Sequence, residues 1–146
     1  MKILALVITL YTLPMLLIHF STPRILNAWN GNASSWIKRQ FSPRRALRIE
    51  AIYWLLSLAA WPLWRAVAWK TLVVVFATIH LGVWLSGEFG KVQLESDSKH
   101  NPAHARKLDR AIITFDLIEA VVLVAVGTLA ALYLLHAGGW FHPTAN

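Results

Sequence analysis

Five of the ionisable side chains inside or at the ends of the long apolar stretches of this chain could do chemistry together. They are His19, Glu50, His80, Asp116 and Glu119, referred to below as the polar cluster. Ionisable residues in membrane-spanning segments usually face a bundle interior, a partner or water, and they mark proton relays, ion pathways or ligand sites. The residue types therefore suggest three kinds of chemistry: proton transfer, metal binding through nitrogen and oxygen, and ligation of haem.

Each kind of chemistry uses a different part of the polar cluster. A metal site or a proton relay would use His80, Asp116, Glu119 and Glu50, because imidazole and carboxylate groups bind divalent ions and exchange protons near neutral pH. A haem b site would use His19 and His80 as axial ligands from two different helices. Asp116 and Glu119 are three residues apart and share one helix face, although this spacing also recurs by chance.

Structural roles account for the same residues and stay open as alternatives. His19 and Glu50 lie close enough to the ends of their apolar stretches to be solvated. Asp116 and Glu119 could extend to a basic residue such as Arg110 at the interface. Paired polar groups inside a bundle can also fix the register of the helices without any catalysis.

The helical phase of polar and small residues predicts that each span turns one such stripe inward. Small residues on these stripes would let two helices approach closely. Three stripes pair residues that are seven positions apart: Thr12 with His19, Glu50 with Ser57, and His80 with Gly87. In the fourth span, Gly127 and Ala131 continue the face of Asp116 and Glu119. Four inward stripes would bring the polar cluster together in the bundle interior.

Four apolar blocks predict the elements that position these residues. A helix needs about 20 mostly apolar residues to cross a bilayer. The predicted spans cover residues 3–20, 47–64, 67–86 and 112–136, with loops at 21–46 and 87–111. Pro102 predicts the start of a helix that continues into the last span. The sequence thus predicts an all-α polytopic membrane protein, with residues 1–146 forming a single four-helix transmembrane domain.

The distribution of positive charge predicts the orientation. Ten of the 14 Lys and Arg residues lie in the two long loops, and Arg48 lies at the adjoining end of the second span. The positive-inside rule therefore places both loops in the cytoplasm and both termini outside, so that the polar cluster lies in the cytoplasmic half. The expected location is a bacterial inner membrane, with the basic face attracted to anionic lipid headgroups.

Composition excludes several classes of protein. Of the 146 residues 57% are hydrophobic and 14% charged, and there is no cysteine. Such a chain is too apolar for a disordered protein or a typical soluble enzyme, and it has no thiolate for a metal or a nucleophile. The net charge of +7 belongs to the loops, and no soluble basic domain is present that would predict binding to nucleic acid.

The sequence assembles no recognisable catalytic set, and we expect a non-enzymatic protein. The favoured interpretation is a small integral membrane subunit of a larger membrane complex. Its polar cluster would be structural or would support a cofactor or a proton path. The alternative is a small oligomeric transporter for an ion or metal, or a membrane redox protein that binds haem b.

Overall fold

The computed structural model describes residues 1–27, 43–89 and 102–137. Within these ranges the chain is all-α and contains no strand. The elements are α1 (Lys2–Asn27), α2 (Pro43–Ala59), a short 3-10 helix (Trp61–Leu63), α3 (Val67–Phe89) and α4 (Pro102–Ala137). The predicted loops fall mainly on residues 28–42 and 90–101, outside the described residues.

Three of the helices are long and apolar enough to cross a membrane. These segments are Lys2–Leu26 in α1, Val67–Ser86 in α3 and Arg106–His136 in α4. Within the described residues the all-α prediction is confirmed, and the three candidate spans indicate a multi-pass membrane protein. The remaining predicted span, residues 47–64, lies mainly in α2, which has only 17 residues and opens with a basic first half. Its crossing of the membrane, and with it the four-span topology, stays a prediction.

Helix ends and apolar blocks do not coincide. α1 continues for seven residues beyond Phe20, into a segment whose side chains are more polar. α4 begins at Pro102, ten residues before its apolar block, as the proline predicts. The predicted second span, 47–64, is not one continuous helix. α2 ends at Ala59, and Pro62 lies in the 3-10 turn that follows, since proline has no N–H for an α-helical hydrogen bond.

The helices pack as antiparallel pairs. α1 packs most extensively against α4, with Thr12 opposite Gly127 and His19 opposite Glu119. α2 and α3 form a hairpin, and α1 also packs against α2. The ring is completed by side chains, because Phe76 of α3 lies 5.8 Å from Phe115 of α4 between ring centroids. All four helices therefore line one interior.

The interior has two chemically different ends. The cluster end is where α1 and α3 approach their last residues and α2 and α4 begin, and all five members of the polar cluster lie there. Toward the far end the core is apolar. Its fully buried side chains there come from α1, α3, α4 and the residues that flank the 3-10 helix, and they include Ala5, Ile8, Ala60, Trp64, Val73, Val126 and Ala130.

Candidate functional site: a buried histidine–carboxylate cluster

Glu119 is the centre of the polar cluster and is fully buried. One of its carboxylate oxygens, Oε1, accepts a hydrogen bond of 2.7 Å from the indole Nε1 of Trp54. The other, Oε2, lies 3.1 Å from Nε2 of His19 and 3.1 Å from Nε2 of His80. The three contacts come from three different helices, so Glu119 joins α4 to α1, α2 and α3.

Backbone carbonyls set the orientation of both histidines. Nδ1 of His19 lies 2.8 Å from the carbonyl oxygen of Met15, and Nδ1 of His80 lies 2.7 Å from that of Phe76. A carbonyl oxygen only accepts, so Nδ1 must carry the hydrogen in each ring. In the neutral imidazole this leaves Nε2 as a bare acceptor. Both rings therefore turn a lone pair toward the same carboxylate oxygen.

Such a convergence of acceptors requires positive charge. In the low dielectric of a bundle interior, two imidazole lone pairs and a carboxylate oxygen repel one another unless a proton or a metal ion lies among them. Among the described residues, neither His19 Nε2 nor Glu119 Oε2 has a hydrogen-bond partner. These two atoms lie 3.1 Å apart, so one positive charge between them would satisfy both. The arrangement is therefore suited to holding a cation.

Two further carboxylates flank this centre. Asp116 accepts a hydrogen bond from the hydroxyl of Thr22, and its carboxylate lies within 4.8 Å of ligand atoms of His19 and Glu119. On the opposite side, Oε2 of Glu50 lies 3.8 Å from Nε2 of His80. Acidic and imidazole groups thus alternate across the bundle, from Asp116 on one side to Glu50 on the other.

Aromatic rings enclose the His80 side of the cluster. The imidazole centroid lies 6.0 Å from Trp54, 6.3 Å from Phe76 and 6.0 Å from Phe115. Trp54 and Phe76 also stack on each other at 5.0 Å. These rings fill the space around the imidazole and fix its direction, so that only Nε2 is free to interact with Glu119.

The structure brings together all five members of the polar cluster. The side chain of His19 is 1% exposed, so it is buried rather than solvated. The carboxylate of Glu119 contacts two histidines and Trp54 instead of extending to a basic residue at the interface. Glu50 is less enclosed, with 13% of its side chain exposed. The predicted inward stripes are visible in the burial of Thr12 and Ser57.

His19 and His80, the predicted axial ligands of a haem b, both contact Glu119. Its carboxylate oxygen Oε2 lies 3.1 Å from each of the two Nε2 atoms, which are the atoms that would ligate the iron. The binding of haem b stays a prediction.

Two functional contacts were not predicted from the sequence. Trp54 donates to Glu119, and Thr22 donates to Asp116. Trp54 follows Glu50 by four residues and Thr22 follows His19 by three, so helical spacing places each beside a member of the polar cluster. Those spacings were the available signal.

Comparisons with protein-family models, with characterised proteins and with solved structures find no match for this chain. Function is therefore inferred from the geometry of the polar cluster.

Proposed function

We propose that this chain is a small integral membrane subunit of a larger membrane complex. Its polar cluster is the functional centre and supports a cofactor or a proton path for that complex. The observation that carries the proposal is the convergence of two imidazole nitrogens on one buried carboxylate oxygen, since this arrangement requires a cation. The proposed location is a bacterial inner membrane, with four spans and the cluster end facing the cytoplasm and its anionic lipid headgroups.

The one-sided position of the polar cluster supports a subunit rather than a stand-alone transporter. A transporter needs access to its site from both sides of the membrane in turn. Here the core beyond the cluster is closed by fully buried side chains such as Trp64, Ile8 and Val126. The hydroxyl groups of Thr12 and Tyr53 pair with each other at 3.0 Å between the two regions. This interior is suited to a site that serves one side of the membrane.

The outward faces of the long helices also support assembly with other chains. α1 carries large apolar side chains spaced three and four residues apart along its exposed face: Ile3, Leu6, Leu10, Leu13, Leu17 and Phe20. Such a face suits contact with lipid or with another apolar helix. These faces offer a membrane partner an apolar surface on the described helices.

Photo-crosslinking from the helix faces tests the proposal directly. A photoreactive amino acid would replace Leu10 of α1 or Val121 of α4, whose side chains are 66% and 70% exposed, in cells that contain the natural membrane. We expect one of these faces to form a crosslink to a second polypeptide of constant mass. The matched control is the same substitution at Ile8, which is fully buried and should crosslink only within the chain.

Three results are informative. A partner of one mass, obtained at neighbouring positions of the same face and in amounts comparable to the tagged chain, supports the subunit. Crosslinks solely between copies of this chain contradict it and favour a homo-oligomeric transporter. Crosslinks solely to lipid from every outward face also contradict it, because a subunit must contact its complex through some part of its membrane surface.

A further inference from the structure

We propose that one side of the polar cluster, formed by His19, Asp116 and Glu119, binds a divalent first-row transition metal ion such as Zn²⁺, Mn²⁺ or Fe²⁺. This inference rests on the proposed role of the polar cluster in supporting a cofactor, and it gives that cofactor a chemical class. α1 supplies the imidazole, and α4 supplies both carboxylates from positions three residues apart.

The spacing of the ligand atoms fits a single ion. One nitrogen of His19 and one oxygen from each of the two carboxylates all lie within 4.8 Å of one another. Nitrogen and oxygen ligands lie about 2.0–2.2 Å from such an ion, so two ligands of one ion are separated by about 3–4 Å. His19 Nε2 and Glu119 Oε2 already have a separation of 3.1 Å. The Asp116 carboxylate, held by Thr22, provides the third ligand.

A second observation points to the same position. Nε2 of His19 and Oε2 of Glu119 are buried atoms without a hydrogen-bond partner among the described residues. His19 is 4% exposed and Glu119 is 0% exposed, so bulk water does not satisfy either atom. Because a buried polar atom without a partner is costly, each needs a positive group close by. A metal ion between them satisfies both at once.

A hydrogen bond to another group of the protein orients each of the three ligand side chains. The Met15 carbonyl accepts from Nδ1 of His19, which leaves Nε2 directed at the site. The indole of Trp54 binds the other oxygen of Glu119, and the Thr22 hydroxyl binds the second carboxylate. Outer partners of this kind orient ligands in known metal sites and increase their affinity for the ion. The three side chains are thus oriented before an ion arrives.

The donor set defines the class of metal. One imidazole and two carboxylates favour borderline or hard divalent ions, whereas soft ions such as Cu(I) favour thiolate and thioether ligands. The chain has no cysteine. A dication also neutralises the two carboxylates, which lowers the cost of burying their charge in the membrane interior. His80 contacts Glu119 from the other side and lies outside the ligand set.

Cobalt binding to the purified full chain tests the inference. The protein would be extracted in mild detergent, treated with a chelator and titrated with Co²⁺, which reports nitrogen and oxygen ligation by visible absorption. We expect saturation at one ion per chain and displacement by Zn²⁺. Asp116→Asn and His19→Gln should each weaken Co²⁺ binding by about 100-fold or more, since loss of outer partners alone costs about 10- to 100-fold.

Matched controls change the same residue types elsewhere. The first control is Asp109→Asn, at a position seven residues before Asp116 on α4. The second is His136→Gln, at a position near the end of the same helix. Both should leave Co²⁺ affinity within about threefold of the wild type, because neither residue belongs to the proposed ligand set. Circular dichroism and elution volume would confirm that each variant keeps its fold.

The outcomes separate this inference from the proposed function. Absence of saturable Co²⁺ binding by the wild-type chain overturns the inference, whichever variants fold. Equal affinity in Asp116→Asn and Asp109→Asn also overturns it, because the ion would then lie elsewhere. Either result leaves the subunit proposal standing if crosslinking identifies a partner. Conversely, a homo-oligomer that binds one Co²⁺ per chain through His19 and Asp116 supports the metal site and contradicts the subunit.

Discussion

At the scale of single residues, Glu119 is the group on which the interior depends most. It is fully buried, and both of its oxygens contact side chains from other helices. A buried carboxylate is retained only when its partners offset the loss of hydration. The indole of Trp54 provides one such partner, and a proton or metal ion shared with the two imidazoles provides the other. Removal of Glu119 therefore affects three helices at once.

Glu119→Ala should destabilise the protein strongly. The change removes the group that faces both imidazoles and leaves the Trp54 donor without its acceptor. Breaking a buried ion pair from one side costs about 3–5 kcal/mol. The free energy of unfolding would be measured by denaturant titration in detergent micelles, followed by tryptophan fluorescence. Glu50→Ala should lower the free energy of unfolding clearly less. This variant loses only the 3.8 Å contact between Glu50 and His80, which is partly exposed. Equal losses in the two variants would contradict this account.

Trp54→Phe separates the hydrogen bond of Trp54 from its packing. Phenylalanine keeps an aromatic ring next to Phe76 but removes the Nε1–H that donates to Glu119. Leaving a buried acceptor without its donor costs about 1–3 kcal/mol. The same unfolding titration measures this loss. Trp61→Phe is the control, since Trp61 is 41% exposed and should change stability little. A loss in Trp54→Phe no larger than in this control would show that the hydrogen bond contributes nothing.

The sequence identified the ionisable members of the site and missed their neutral donors. Charged residues in apolar blocks are conspicuous because few are tolerated there. Tryptophan is common at membrane interfaces, so a Trp four residues after Glu50 does not stand out as a buried donor. Thr22 lay beyond the predicted apolar span. Which oxygen each of them contacts depends on tertiary packing, which residue spacing alone does not contain.

At the scale of elements, the α1–α4 contact determines the geometry of the site. A Cβ at Gly127 would lie 2.7 Å from Oγ1 of Thr12, which is closer than real Cβ atoms approach. The absence of a side chain thus allows α1 and α4 to come close. The same register places His19 opposite Glu119, eight residues along α4. Close packing and the polar cluster therefore belong to one helix interface.

Gly127→Ala should weaken this interface. The new methyl group forces Thr12 to shift, and its hydroxyl already binds Ile8 and Tyr53. Overpacking of this kind costs about 1–3 kcal/mol. Gly82→Ala is a matched control, because nothing lies within 4 Å of the added atom. Thermal unfolding in detergent would compare the two variants. An equal effect of both changes would show that α1 and α4 are not closely packed at Gly127.

The sequence predicted helix class and helix faces better than helix ends. Seven-residue spacing correctly placed Thr12 and Ser57 inward, since the period of the helix is a local property. α1 continues to Asn27, beyond the predicted span 3–20, because hydropathy reports where a helix leaves the apolar layer and not where its hydrogen bonds stop. The break after Ala59 lies next to Trp61-Pro62, where proline cannot donate the hydrogen bond of a continuing α-helix.

At the scale of the whole molecule, the topology depends on whether α2 crosses the membrane. Because the chain contains no cysteine, single cysteines can be introduced without a background. Arg65→Cys changes a position between α2 and α3, and Lys107→Cys changes one near the start of α4. With four spans, a membrane-impermeant maleimide should label the Arg65→Cys variant from outside. It should label the Lys107→Cys variant only after the cytoplasmic face is opened. Labelling of both variants from one side would contradict the four-span topology.

The native mass of the tagged chain, extracted gently from its own membrane, tests the central claim most directly. Native mass spectrometry would resolve both the number of copies and any companion polypeptides. We expect a defined particle that contains this chain together with other membrane proteins, in a constant ratio. A homogeneous particle built from this 16.4 kDa chain alone would contradict the subunit function and favour a small homo-oligomeric transporter.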